Sequence, residues 1–210
     1  MMQIAQIEKN LAKQLIIENH YSHKWTSCRY ALGLFKDGSL KGCAIYGYPV
    51  GRRVVQSIAP ELDKSEVLEL TRLWLCDSLG YNSESWFIGQ TFKWLRKNDP
   101  KIKVLIAYSD PLANHVGFIY QATNWLYQGQ DMMLVKGFIH HVNGEALHPR
   151  TCVAKYGTID TAFLRQIDAN YRREPLKKKH RYLYVLDRKA KLSFKHLFKP
   201  YPKNNDRSDW

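Results

Sequence analysis

Apolar residues recur along this chain in two rhythms, one of three to four residues and one of two, and their alternation predicts helices interleaved with strands. From Gln3 to Glu18, Ile4, Ile7, Leu11 and Leu15 fall at helical spacing, and the polar run His20–Ser27 follows as a loop. Arg29–Phe35 and Leu40–Tyr46 read as strands joined at Lys36-Asp37-Gly38-Ser39, a hairpin turn signal. Val54–Ile58 predicts a further short strand. Leu68–Leu75 is a stronger strand, followed by the loop Cys76–Asn82 and a helix over Ser83–Lys97. Ser83 is placed to cap that helix, Trp86, Phe87, Gln90 and Trp94 repeat along it, and Asn98-Asp99-Pro100 ends it. Val104–Tyr108 is a short, unbroken apolar run of the kind found in buried parallel strands. Beyond it the pattern predicts a short helix over Asn114–Thr123 and strand structure from Trp125 through Ile139. A turn at Asn143-Gly144, a helix over Thr158–Tyr171, a strand over Arg181–Leu186 and a basic closing helix over Lys189–Phe198 complete the chain.

The middle is therefore strand, loop, helix, strand, loop, helix, a βαβα unit whose two strands run parallel. The fold class is α/β, a mixed sheet with a parallel central pair flanked by helices. Ligands in such sheets bind beyond the carboxyl ends of the strands, here the loops Cys76–Asn82 and Ser109–Ala113.

Hydrophobic residues make up 45% of the 210, enough to build a core. No apolar run approaches the roughly 20 residues of a membrane span, and the N-terminus lacks a signal-peptide core, so a cytoplasmic location and no membrane partner are expected. The four cysteines, Cys28, Cys43, Cys76 and Cys152, form no CxxC pair, as expected of reduced thiols rather than a zinc site. The net charge is +13, and it is uneven: Arg172–Arg207 holds thirteen Lys and Arg against Glu174, Asp187 and Asp206. That concentration points to a polyanion partner, double-stranded DNA above all. We divide the chain at this change of composition, into a main part, 1–171, and a basic strand and helix extension of the same domain, 172–210.

Arg72 leads the candidate chemistry. On a strict two-residue period it shares a face with Leu68, Leu70 and Trp74, where a guanidinium needs a partner. It either bridges to Glu69 or Asp110, or holds an anionic or carbonyl group. Asp110, after a buried strand, either caps the next helix or acts as a site acid or base. Tyr120 is a packed phenol or a functional one, and Asn114 and His115 project from the same predicted helix. His20, Tyr21, Ser22, His23, Lys24 and Trp25 bring imidazoles, a phenol and an indole into one loop. Imidazole titrates near neutrality, and aromatics stack on an extruded base. Gly80, Tyr81, Asn82, Ser83 and Ser85 surround a helix N-terminus, whose amides suit a phosphate. Glu84 in that turn reads as a dipole partner, and His140-His141 as an ordinary strand end.

Taken together, HYSH at His20, LELTRLWLCDSLGYNSESWFIGQTFKWL over Leu68–Leu95 and YSDPLANHVGFIYQATNWLYQG over Tyr108–Gly129 resemble the Mom family, as do KKKHRYLYVLDRK over Lys177–Lys189 and PYPK over Pro200–Lys203. The family is similar in fold to GNAT acyltransferases. The resemblance therefore implies a GNAT-like sheet whose central parallel pair splays into a V-shaped opening for the donor. It implies a transferase that converts adenine N6 in phage DNA to a carbamoylmethyl derivative and so protects that DNA from host restriction, in the cytoplasm of an infected or lysogenic host. Our catalytic candidates for such a reaction, from the residues themselves, are His20, Tyr21, Arg72, Asp110 and Tyr120. The donor is CoA-like, or another acyl or aminoacyl compound, held by Gly80, Tyr81, Asn82, Ser83 and Ser85; of the usual glycine-rich pyrophosphate loop only Gly80 is kept. Iron is a further implied group, with His20, Tyr21, Asp110 and Tyr120 as its available ligands. Trp25, Lys177, Lys178, Lys179, Arg181 and Lys189 are the DNA-binding candidates. Two other activities fit the same features: a GNAT acetyltransferase acting on a protein or small amine, and a phage DNA-binding protein without chemistry.

Overall fold

The computed structural model describes residues 1–51, 53–111, 116–130 and 137–202. It comprises two compact units, Met1–Met132 with His180–Trp210, and Met133–Lys179.

The first unit is built on one mixed sheet in the order β1-β2-β3-β4-β5-β10-β6. Its strands are β1 (Met2–Gln6), β2 (Tyr30–Lys36), β3 (Ser39–Gly47), β4 (Val67–Leu75), β5 (Val104–Ser109), β6 (Leu126–Gly129) and β10 (His180–Val185). Among the described strands only β4 and β5 pair in parallel, as the βαβα pattern predicts. The turn between β2 and β3 is Asp37-Gly38, both at positive φ, the geometry that matches the twist of a tight hairpin.

Alternation along the strands divides the apolar residues between two faces. One face sends Leu32, Leu34, Leu68, Leu70, Leu105 and Tyr182 into the largest core, against Phe87, Ile88, Phe92 and Leu95 of helix α2 (Ser83–Asn98). Each such side chain, once buried, stabilises the fold by roughly 1.5–3 kcal/mol. The other face packs Ala31, Cys43 and Ile45 against Ala12 and Ile16 of α1 (Lys9–Asn19). The same face packs Val67, Val104, Ile106 and Leu183 beneath Val55 and Ile58. Helices thus cover both faces of the sheet, the expected architecture.

Three expectations fail locally. The predicted N-terminal helix begins only at Lys9, because Met2–Gln6 pairs with β2 as an edge strand. Met2 and Ile4 serve a period of two there, and helical spacing alone cannot tell the two apart. Val54–Ile58 holds a 3-10 turn over Val55–Ser57, not a strand. The closing helix over Lys189–Phe198 is absent. Leu192 and Phe194 instead reach the core two residues apart, and the backbone is tied by Lys195 N–H to the Ile58 carbonyl and Lys199 N–H to the Tyr127 carbonyl. An extended segment satisfies both the apolar pair and those donors, where a helix would turn one of the two outward.

The second unit has a three-stranded sheet of β7 (Phe138–Val142), β8 (Glu145–Leu147) and β9 (Arg172–Pro175), with helices α4 (Pro149–Tyr156) and α5 (Thr161–Ile167). Proline at its start and Gly157 at positive φ after its end bound α4. Asp160 caps α5 by accepting from Phe163 N–H at 2.8 Å. Val142, Leu147, Cys152, Leu164 and Tyr171 form its core. The change of composition at Arg172 falls inside this unit. Among the described residues no helix is long and apolar enough to cross a membrane.

Candidate active site

The parallel ladder between β4 and β5 is short. It pairs Val67 with Val104, Leu68 with Leu105 and Glu69 with Ile106, and then stops. Beyond Glu69, β4 follows β3 to Leu75 while β5 follows β10 to Ser109. The two strands diverge, and their facing backbone groups line an opening between them.

A bulge decides what faces that opening. On β3, Ile45 lies opposite Arg72 and its neighbour Tyr46 lies opposite Leu70, so Thr71 is an extra residue. Its hydroxyl donates to the Ile45 carbonyl at 3.0 Å. The extra residue reverses the alternation. Arg72 shares its face with Glu69 and Trp74, not with Leu68 and Leu70 as a regular strand would have it. Its Nε donates to the Lys24 carbonyl at 3.1 Å and its Nη1 to the Thr71 carbonyl at 2.6 Å. Burial pulls the guanidinium pKa down, while Tyr21 and Glu69 push it up. The His20–Trp25 loop therefore closes over Arg72 and brings Tyr21 to it.

His20 ends α1 and is buried; its Nδ1 accepts from the Ser22 backbone N–H at 3.1 Å and meets the Ser22 hydroxyl at 2.9 Å. That bonding assigns the proton to Nε2. The Tyr21 ring lies 4.3 Å from the His20 ring and is largely exposed. Trp25, expected to stack on a base, instead packs against the core beneath α1.

Tyr120 stands in α3 (Phe118–Ala122), the part of the predicted Asn114–Thr123 helix that is described. Asn114 and His115 lie outside the described residues. Gly117, before α3, has φ +85°, and a Cβ there would come within 2.6 Å of the Tyr182 ring, so only glycine lets α3 approach this closely. The Tyr120 ring packs against Trp125 and Tyr182. Burial raises its pKa well above the usual phenol range, helped by Tyr21, Tyr46, Glu69 and Tyr182. Among the described residues its hydroxyl makes no hydrogen bond. Asp110 sits one residue past β5, on the other arm of the opening.

Glu69 is the residue that sequence reasoning underrated, treating it only as a partner for Arg72. It occupies the last rung of the parallel ladder, and its charge bears on Arg72, Tyr108 and Tyr120. The one signal available was a carboxylate three residues before a guanidinium in an apolar strand.

At the start of α2, Asn82 has φ +62° and makes no side-chain cap. Ser83, expected as the cap, is the first helical residue, and its hydroxyl donates back to the Leu79 and Gly80 carbonyls at 3.0 and 2.8 Å. Ser85 donates to the Asn82 carbonyl at 3.0 Å, and Tyr81 is fully exposed. The first-turn amides are thus left to solvent or a ligand.

Of the basic candidates, Lys177, Lys178 and Lys189 are exposed and Lys179 is half-buried. Arg181, expected at a DNA surface, is 1% exposed and faces the interior from β10. The iron expectation does not fit the donors: His20 Nδ1 is already bonded and burial keeps Tyr120 a neutral phenol. Among the described residues no group of three or more His, Cys, Asp or Glu is arranged to hold a metal ion.

The strand splay and the polar groups around it define a mixed α/β protein whose parallel pair opens at its carboxyl ends. A profile of the Mom protein family matches residues 1–203, and the chain belongs to that family. It is 31% identical over 201 residues to the methylcarbamoylase Mom of Escherichia phage Mu, covering 92% of this chain and 80% of that protein. Similar solved structures include an N-acetyltransferase from Staphylococcus aureus, at TM-score 0.46 and 12% identity, covering 89% of this chain and 98% of that one. Another is a GNAT-family acetyltransferase from Streptococcus pneumoniae, at TM-score 0.44 and 9% identity, covering 88% and 99%.

Proposed function

We propose that this chain is a DNA-modification transferase that places a carbamoylmethyl-type group on N6 of adenine in double-stranded DNA, and that it thereby protects phage DNA from host restriction inside the bacterial cytoplasm. The observation that carries this reading is the grouping of Glu69, Arg72, Tyr21 and Tyr120 by mutual electrostatic interaction where β4 and β5 part. The related phage protein is named a methylcarbamoylase, and methylcarbamoyl and carbamoylmethyl are isomers of one composition, so the name supports a one-nitrogen, two-carbon amide group of that mass.

The N6 of adenine is held within the duplex stack, so the base must first leave it. Tyr21, exposed beside Arg72, offers a ring for the extruded base. Exocyclic nitrogen is a weak nucleophile because its lone pair is delocalised into the purine. Attack forms the N6–carbon bond, breaks the bond from that carbon to the donor's leaving group, and releases one N6 proton. Glu69 accepts that proton, with Asp110 as the other acceptor in the neighbourhood, while His20, whose Nδ1 is engaged by Ser22 and whose Nε2 carries a proton, is a donor. Arg72 hydrogen-bonds the carbonyl of the transferred group and so orients its methylene carbon toward N6. Tyr120, kept protonated by burial, donates to the leaving group. The first-turn amides of α2 from Ser83 to Ser85, with Gly80, Tyr81 and Asn82, hold an anionic part of the donor. Lys177, Lys178, Lys179 and Lys189 bind the DNA backbone.

Mass spectrometry of nucleosides from cells expressing the chain tests the reading. A modified deoxyadenosine with the carbamoylmethyl mass that co-elutes and fragments with a synthetic N6-carbamoylmethyl standard supports it; unmodified adenine with well-expressed, folded protein overturns it.

A further inference from the structure

Arg181 is among the largest fully buried side chains of the molecule. Its Nη1 donates to the Ser57 hydroxyl at 2.8 Å, but its Nε and Nη2 are buried and have no hydrogen-bond partner among the described residues. The Ser57 proton is already given to the Val54 carbonyl at 2.6 Å, so Ser57 accepts from Arg181 and fixes its orientation. No carboxylate among the described residues offsets the charge; the one ionisable group that bears on it is the Tyr108 phenol. Tyr108 stands directly opposite Arg181 in the ladder between β5 and β10, and its hydroxyl makes no hydrogen bond among the described residues. Burial raises the Tyr108 pKa to about 12, so the phenol keeps its proton and is a donor. Lys199 Nζ lies 3.0 Å from where a Cβ on Gly129 would sit, and Gly129 is the other ladder partner of Arg181.

A desolvated guanidinium with two idle donors is costly unless an anion completes it. We propose that Arg181 and Tyr108, with Ser57 as the orienting residue, form a buried subsite for a small oxyanion, a carboxylate or a phosphate. As direct cross-strand partners, Arg181 and Tyr108 leave the sheet on one face, so two guanidinium N–H groups and one phenol O–H are offered as donors on the same side, the set an oxyanion takes. Enclosure under the 3-10 turn and the Leu192–Phe194 segment limits the ligand to a small anion and excludes a DNA backbone. Oxyanion binding here needs neither donor nor DNA, so it is tested separately from the transfer reaction.

The test is thermal unfolding of the full chain in sodium chloride, sodium acetate and sodium phosphate at matched ionic strength, for wild type, Arg181→Met and Tyr108→Phe. General salting by phosphate raises every variant alike. The subsite adds a rise of about 3 °C in wild type over that background, in acetate if the ligand is a carboxylate and in phosphate if it is a phosphate. In chloride Arg181→Met melts above wild type, because an uncompensated cation has been removed, and its oxyanion rise is gone. Tyr108→Phe keeps the fold and loses most of the rise. Equal oxyanion rises in wild type and Arg181→Met overturn the subsite. If Arg181→Met does not fold, an undiminished rise in Tyr108→Phe overturns it, and a lost rise supports it.

Discussion

Glu69 and Arg72 lie on one face of β4 although three residues separate them, because the bulge at Thr71 inserts one residue between their ladder partners. In a regular strand their side chains would point to opposite faces. The bulge therefore sets a carboxylate and a guanidinium side by side at the point where the parallel pair opens. Arg72 is not consumed by that neighbour, since its hydrogen bonds go to the Lys24 and Thr71 carbonyls. It ties the His20–Trp25 loop to β4 where the parallel pair parts and keeps its positive charge there.

Replacing Arg72 by Lys preserves charge but loses the planar fork that spans the Lys24 and Thr71 carbonyls. Modified adenine is expected to fall by about 10²–10³-fold with DNA affinity retained. Nucleoside quantification alongside a DNA-binding titration checks both halves; a protein that loses DNA affinity in parallel would place Arg72 in the DNA interface instead.

Glu69→Gln keeps the size of the side chain and removes its capacity to take a proton. A drop in modification rate of about 10²–10⁴-fold is expected if Glu69 is the acceptor. Asp110→Asn serves as the comparison. A larger loss for Asp110→Asn than for Glu69→Gln in single-turnover assays would transfer the role to Asp110.

Tyr120→Phe deletes a hydroxyl that has no hydrogen-bond partner among the described residues, so stability should change little. Modification should fall while the melting temperature holds. A melting temperature that drops together with activity would mark Tyr120 as a packing residue.

Changing Lys177, Lys178 and Lys179 together to Gln should weaken DNA binding at low salt. The slope of log affinity against log salt should flatten by about 3, because three phosphates are no longer neutralised. An unchanged slope in titrations at several salt concentrations would remove these lysines from the interface.

Burial lowers the pKa of both His140, which also feels Arg173, and His180. In the unfolded chain their imidazoles titrate near the ordinary value of about 6.5. As pH falls through that value the unfolded chain binds protons that the fold excludes, so stability is lost toward acid and regained toward neutrality. The melting temperature should fall between about pH 7.5 and about pH 5.5, and His140→Asn should shrink the fall. A melting temperature indifferent to pH in that window would contradict the burial of these rings.

The amino-acid order by itself determined the parallel pair, because the unbroken apolar run Val104–Tyr108 has no polar face to give to solvent and must be covered on both sides. It likewise determined the hairpin at Asp37-Gly38, through backbone angles those two residues tolerate, and the family, through long segments of matching sequence. The tertiary structure alone decided which side chains meet. A bulge leaves no mark on local periodicity, so it reversed the face of Arg72 and brought in Glu69 unannounced. Arg181 looked like one more charge in a basic run until pairing with β5 and β6 buried it. Periodicity is a property of neighbours along the chain, whereas burial and electrostatic partnership depend on residues brought together across the sheet, such as Ser57 and Arg181.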